Sequence, residues 1–149
     1  MYAPIVFDAK TQFRPIFDKA RGRARLARFG AWLRGRTNRL LDLTELTRGA
    51  RVMNQRDLGI REIAVDQIKG SEGRSSDFDS EFNPIRSNTR ERWLSIMAAR
   101  RSGIELPPIE VIKVGNDYFV RDGHHRVSVA RALNAASIDA HITEMALRW

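Results

Sequence analysis

The sequence predicts an α+β fold in which a small mixed sheet is preceded by an arginine-rich helical extension. Three observations carry that expectation. Charge is divided along the chain: residues 1–56 hold 13 lysines and arginines against four carboxylates, a net +9, whereas the remaining 93 residues carry 13 against 14. Apolar residues recur at helical spacing in separated stretches, and short β-branched runs lie between clusters of glycine, proline and asparagine. The expected division is a basic helical extension over 1–56 and a sheet domain over 57–149.

The first element is a helix from Phe13 to about Leu33. Phe13, Ile16, Phe17, Ala20, Ala24, Ala27 and Ala31 recur every three or four residues and form one packing stripe. Gly35 to Asn38 break the pattern, and Leu40, Leu41, Leu43 and Leu46 predict a second short helix ending near Gly49, so the extension reads as a helical hairpin. Residues 60–65 alternate and carry isoleucine and valine, which predicts the first strand, with 66–68 turning out of it. From Lys69 to Pro84 glycine, serine, aspartate and asparagine predict a long working loop, anchored by Phe78 and Phe82. Asn88 is placed to cap a helix through Trp93, Leu94 and Met97 to Arg101, and Gly103 stops it. Residues 109–114 and 118–120 predict a hairpin of strands turning at Gly115 to Asp117. A helix begins near His124, Asn134 takes the left-handed cap after it, and 137–143 alternate as a last strand.

Hydrophobic residues make up 42% of the 149, enough for one core, and no apolar run approaches the ~20 residues of a membrane span. Met1 to Asp8 lack the leading positive charge and apolar length of a secretion signal, and the chain has no cysteine, so a cytoplasmic location is expected.

Chemistry concentrates at Asp122-Gly123-His124-His125-Arg126, where a strand turns into a helix. Glycine permits the turn and leaves the first helical N–H groups uncovered, and such a helix start binds anions. Arg126 would add a guanidinium fork, His124 and His125 two imidazoles, and Asp122 one carboxylate. Phosphate suits that set. A plain helix start capped by Asp122, with solvated histidines, accounts for the same residues and stays open. No Gly-x-x-x-x-Gly-Lys-Ser/Thr or Gly-x-Gly-x-x-Gly motif is present, and adjacent histidines without a cysteine complete no tetrahedral metal set, so no metal site is expected.

This turn, with the Val-Ser-Val-Ala-Arg-Ala-Leu that follows it, resembles the signature turn of the ParB/sulfiredoxin superfamily, over roughly residues 60–144. The resemblance implies a ParB/sulfiredoxin-like domain whose Gly123, His124, His125 and Arg126 cradle the phosphates of CTP, ATP or ADP with Mg²⁺. Where ParB proteins show Gly-Glu-Arg-Arg, this chain has His124 and His125 at the middle positions. Sulfiredoxin chemistry needs a cysteine here and is excluded. The spelling is similar to the kinase-like branch and to stand-alone bacterial proteins. By resemblance to free-serine kinases, Glu72 and Asp122 would be the catalytic pair.

In the extension, Arg14, Arg21, Arg25, Arg28 and Trp32 share one helix face a quarter-turn from the packing stripe. A solvated face would ordinarily mix its charges, so an anionic partner is expected to offset this ridge. Nucleic acid leads, because arginine suits bidentate phosphate contact and Trp32 can stack on a base; an acidic protein is the competitor. Two functional classes follow. One is a nucleotide- or phosphate-binding ParB-like module associating with nucleic acid, with a homodimer as a candidate assembly and no membrane partner. The other is an enzyme, either a phosphotransferase of the free-serine-kinase type or a ParB-like nuclease.

Overall fold

Backbone hydrogen bonding builds one six-stranded mixed sheet in a computed structural model that describes residues 10–74 and 76–149. The strands are β1 (Leu41–Asp42), β2 (Arg51–Ala64), β3 (Ile68–Ser71), β4 (Ile109–Val114), β5 (Asp117–Asp122) and β6 (Ser137–Arg148), in the order β1-β3-β5-β4-β6-β2. The helices are α1 (Arg14–Leu33), the single-turn α2 (Leu43–Leu46), α3 (Arg90–Arg101) and α4 (His124–Ala132). The N-terminal segment up to residue 9, on which the secretion argument rested, lies outside the described residues. No described helix is long and apolar enough to cross a membrane.

β4 and β5 form the expected antiparallel hairpin, and β6 lies parallel to β4 with Ile109 opposite Ala140 and Val111 opposite Ile142. One sheet face thereby presents Ile63, Ile109, Val111, Val120, Ala140 and Ile142 to Val127 of α4 and to the two loop phenylalanines. Phe78 and Phe82 are fully buried there, so they anchor the loop as expected.

The α1 stripe also packs as expected, with Phe13, Phe17, Ala20, Ala24 and Ala31 buried. Phe17 meets Trp93 of α3 edge to face at 5.4 Å, in a cluster with Leu94, Met97 and Val129. Trp93 donates its indole N–H to Ser128 Oγ at 2.9 Å, which satisfies the one polar atom of a fully buried ring. The helical extension is thus packed on the helical layer of the sheet domain. Truncating either aromatic side chain would be expected to cost about 3–5 kcal/mol.

Four expectations need correction. Residues 40–46 do not form the second arm of a helical hairpin: β1 adds to the sheet beside β3, and Leu40 and Leu43 bury in separate clusters. Asp42 then caps one turn by accepting from the N–H groups of Thr44 and Glu45. Second, β2 begins at Arg51, so residue 56 lies inside a strand whose first half pairs with the end of β6. That half is exposed on both faces and shows no alternation to read. Third, Lys69 to Ser71, the first three residues of the supposed loop, belong to β3. Gly70 is required there, because a Cβ would lie 2.2 Å from the carbonyl oxygen of Leu41, so only glycine lets β1 approach. Fourth, Asn88 sits in a short 3-10 turn and Thr89 occupies the N-cap of α3, without a side-chain cap.

Candidate anion-binding site

Gly123 takes the left-handed conformation, φ 102° and ψ 24°, and stands at the N-cap of α4 with no side-chain cap on the helix. A Cβ here would lie 2.5 Å from Cγ2 of Ile109, so glycine serves both the turn and the close approach of β4. Asp122 is not the cap; its carboxylate instead receives Arg126 Nη2 at 3.3 Å. The first N–H groups of α4 are consequently left for a ligand, at the positive end of the helix dipole.

Above that end lies a cavity of about 340 Å³, bordered by Arg74, Arg92, Arg121, Asp122, Gly123 and Arg126 along with the edges of both histidines. Asp122 is the one carboxylate among the described lining residues. Arg121 is paired with Glu72 at 2.7 Å. Arg74 and Arg92 enter no salt bridge among the described residues. The arrangement offers positive charge and backbone donors to an oxyanion, and its size accommodates the phosphates of a nucleotide.

The turn does not present its side chains as expected. His124 and His125 are 4% and 6% exposed and face inward against Phe78, whose ring is stacked on His124 at 6.2 Å and edge-on to His125 at 5.4 Å. Ser71 Oγ lies 2.6 Å from His124 Nε2 and accepts the Arg74 N–H at 3.0 Å, so it donates its own proton to a neutral imidazole. Burial, then the nearby Arg74, lowers the His124 pKa to about 4. Burial, then Arg92 and Arg74, lowers that of His125 to about 4 as well. Neither ring carries charge to a phosphate at neutral pH; both form the floor of the site. The Nε2 of His125 is buried without a hydrogen-bond partner among the described residues.

Arg126 is also differently placed. Its Nη1 donates to the carbonyls of Pro107 and, at 2.9 Å, Pro108, so its guanidinium is tied to the entry of β4. Glu72 is held by Arg121 and does not line the cavity, whereas Asp122 does. The structure brings Asp122, Gly123, His124, His125 and Arg126 together, and adds Arg74, Arg92 and Arg121 from the loop, α3 and β5. Those three carried no sequence signal beyond being arginines, since their meeting depends on the fold. On α1, Arg14, Arg25 and Arg28 are exposed, Arg21 is half-buried with Nε donating to the Ile85 carbonyl at 3.4 Å, and Trp32 is exposed.

No family model matches the chain, and no curated protein matches it. Among solved structures it is similar to that titled crystal structure of sulfiredoxin from Arabidopsis thaliana, with 25% identity over 56% of this chain and 82% of that one, at a TM-score of 0.43.

Proposed function

We propose that this protein is a ParB-like phosphate-binding module that holds a nucleotide at the start of α4 and associates with nucleic acid through the arginine face of α1. The observation that carries the first part is the convergence of Arg74, Arg92 and Arg121 on an uncapped helix N-terminus, with one carboxylate in the lining. Support for the second is the exposure of Arg14, Arg25, Arg28 and Trp32 on a helix whose packed stripe lies about a quarter-turn away.

In this reading the α4 N–H groups and the free guanidinium groups take the phosphate oxygens, and Asp122 lies beside any Mg²⁺ that accompanies them. The buried, neutral histidines exclude water from beneath the turn and hold its shape. The enzyme alternative, a kinase-type phosphotransferase or a nuclease, has weaker support. Glu72 and Asp122 are each engaged by an arginine, and Glu72 stands outside the cavity, which suits structural pairing better than a free base.

Calorimetric titration of CTP, ATP, ADP and GTP with Mg²⁺ into the full chain tests the reading. Replacing both Arg74 and Arg92 by alanine is expected to weaken binding at least ten-fold, since one charge-assisted contact contributes about 1.5–3 kcal/mol. Equal affinity in that double variant would remove the site from consideration. Release of phosphate, or its transfer to a small hydroxyl acceptor, that disappears in Glu72→Gln would favour the enzyme.

A further inference from the structure

A second basic cavity lies between the C-terminal end of α1, the connector that follows it, and the loop beyond β3. It encloses about 590 Å³, and its lining includes Arg28, Arg36, Arg39, Arg86 and Trp32 with no carboxylate among the described lining residues. Arg28, Arg36 and Arg39 enter no salt bridge among the described residues, and Arg86 reaches Asp77 only at 4.0 Å. Trp32 is 72% exposed, and its aromatic neighbour Phe29, with ring centroids 6.0 Å apart, is 59% exposed. Asn38 on the same wall has its Oδ1 occupied by Ser80, while its Nδ2 finds no acceptor among the described residues.

These features select among polyanions. Four guanidinium groups require several separated negative charges, and arginine forks match phosphate oxygens. An indole left in water beside them offers a flat surface for a base. A duplex keeps its bases stacked and presents a convex surface, so it would reach the arginines and leave Trp32 uncovered. The cavity is of the size that encloses a small-molecule ligand, roughly 300–1,000 Å³, and so admits one or two nucleotides. A second copy of this chain would bring like charge to like charge. We infer that the cavity binds single-stranded nucleic acid, one base stacked on Trp32 and the flanking phosphates held by Arg28, Arg36, Arg39 and Arg86. The inference rests on the proposed association of α1 with nucleic acid and narrows it to unpaired strands.

Fluorescence anisotropy of the full chain with labelled oligo-dT, oligo-rU and a length-matched duplex tests it. Single strands are expected to bind more tightly than the duplex, and equal affinity for oligo-dT and oligo-rU is compatible because the stack ignores the sugar. Trp32→Ala should weaken single-strand binding about five- to 100-fold, with Trp32→Phe recovering part of the loss. Replacing Arg28 and Arg36 by alanine should flatten the dependence of log affinity on log salt by about 1.4 for single strands. All three positions are exposed, and nucleotide titration at the α4 cavity should be unchanged in each variant, which certifies the fold. Equal duplex binding with no effect of Trp32→Ala overturns the cavity assignment while leaving nucleic-acid association standing. No binding of any oligonucleotide at low salt overturns both. Binding instead to phosphatidylglycerol vesicles would assign the exposed Leu26, Phe29 and Leu33 and their basic flanks to a lipid surface, and would likewise overturn it.

Discussion

Ser71 Oγ, at the end of β3, stands 2.6 Å from Nε2 of His124, the first residue of α4. The same oxygen accepts the Arg74 N–H, so one buried hydroxyl joins the sheet, the start of α4 and the loop that supplies a cavity arginine. Ser71→Ala leaves His124 Nε2 and the Arg74 N–H without that partner. The expected outcome is a loss of about 1–3 kcal/mol of stability, measured from urea midpoints, with weaker phosphate binding because Arg74 is no longer held. A variant with parent stability would show that the hydroxyl joins nothing of consequence.

Acid should destabilise the protein between pH 6.5 and about 4. Unfolded histidine protonates near 6.5, whereas folded His124 and His125 resist until about 4, so the unfolded chain binds more protons in that window. Their contribution is fully present above pH 6.5 and is lost as pH falls. Each ring accounts for something on the order of 2 kcal/mol after allowance for solvent screening. Denaturation midpoints at pH 7, 5 and 4 measure it, and His125→Phe should roughly halve the loss. A flat profile over this range would contradict the burial of both rings.

His141 predicts the opposite slope. Its Nε2 lies 2.8 Å from Asp57 on β2 and its Nδ1 lies 3.3 Å from Glu110 on β4, so one imidazole ring links three strands. The hydrogen bond to Asp57, then that to Glu110, raises its pKa. The stabilisation is therefore complete below pH 6.5 and fades as pH rises through the raised value. Asp57→Asn should move the NMR titration midpoint of His141 downward. If that midpoint stays put, the contact between Asp57 and His141 does not persist in solution.

What could be read from the sequence was whatever carried local periodicity or a turn requirement. Ile109 to Val114 and Tyr118 to Val120 are short apolar strands around a glycine turn, Gly123 is demanded by φ and by Ile109, and the α1 alanines mark its packing face. β1 was hidden because two residues have no period, and it exists because Gly70 permits its approach. The first half of β2 was hidden because residues 51–57 are exposed whichever way they point. The five residues of the turn were legible as one cluster, but their orientations were not: the rings of His124 and His125 turn inward because Phe78, some 46 residues earlier, is packed against them. Arg74, Arg92 and Arg121 come from three elements that only the fold brings together.

Arg126 offers the sharpest separation between a residue that binds and one that builds. Resemblance places it on the phosphates, yet its Nη1 is given to the carbonyls of Pro107 and Pro108, its Nη2 reaches Asp122, and its side chain is 16% exposed. Removing it would orphan two proline carbonyls at the entry of β4 and free the Asp122 carboxylate. Arg126→Ala is therefore expected to lose about 1.5–3 kcal/mol of stability. Arg126→Lys should recover only part of that, because one ammonium cannot reproduce a planar fork. Arg74→Ala should behave conversely, with an almost unchanged urea midpoint and weaker phosphate affinity, because its guanidinium is exposed and enters no salt bridge among the described residues. Midpoints and nucleotide titrations on the two alanine variants compare them directly. An Arg126→Ala protein as stable as the parent that no longer binds nucleotide would return this arginine to the ligand and displace the structural role argued for it.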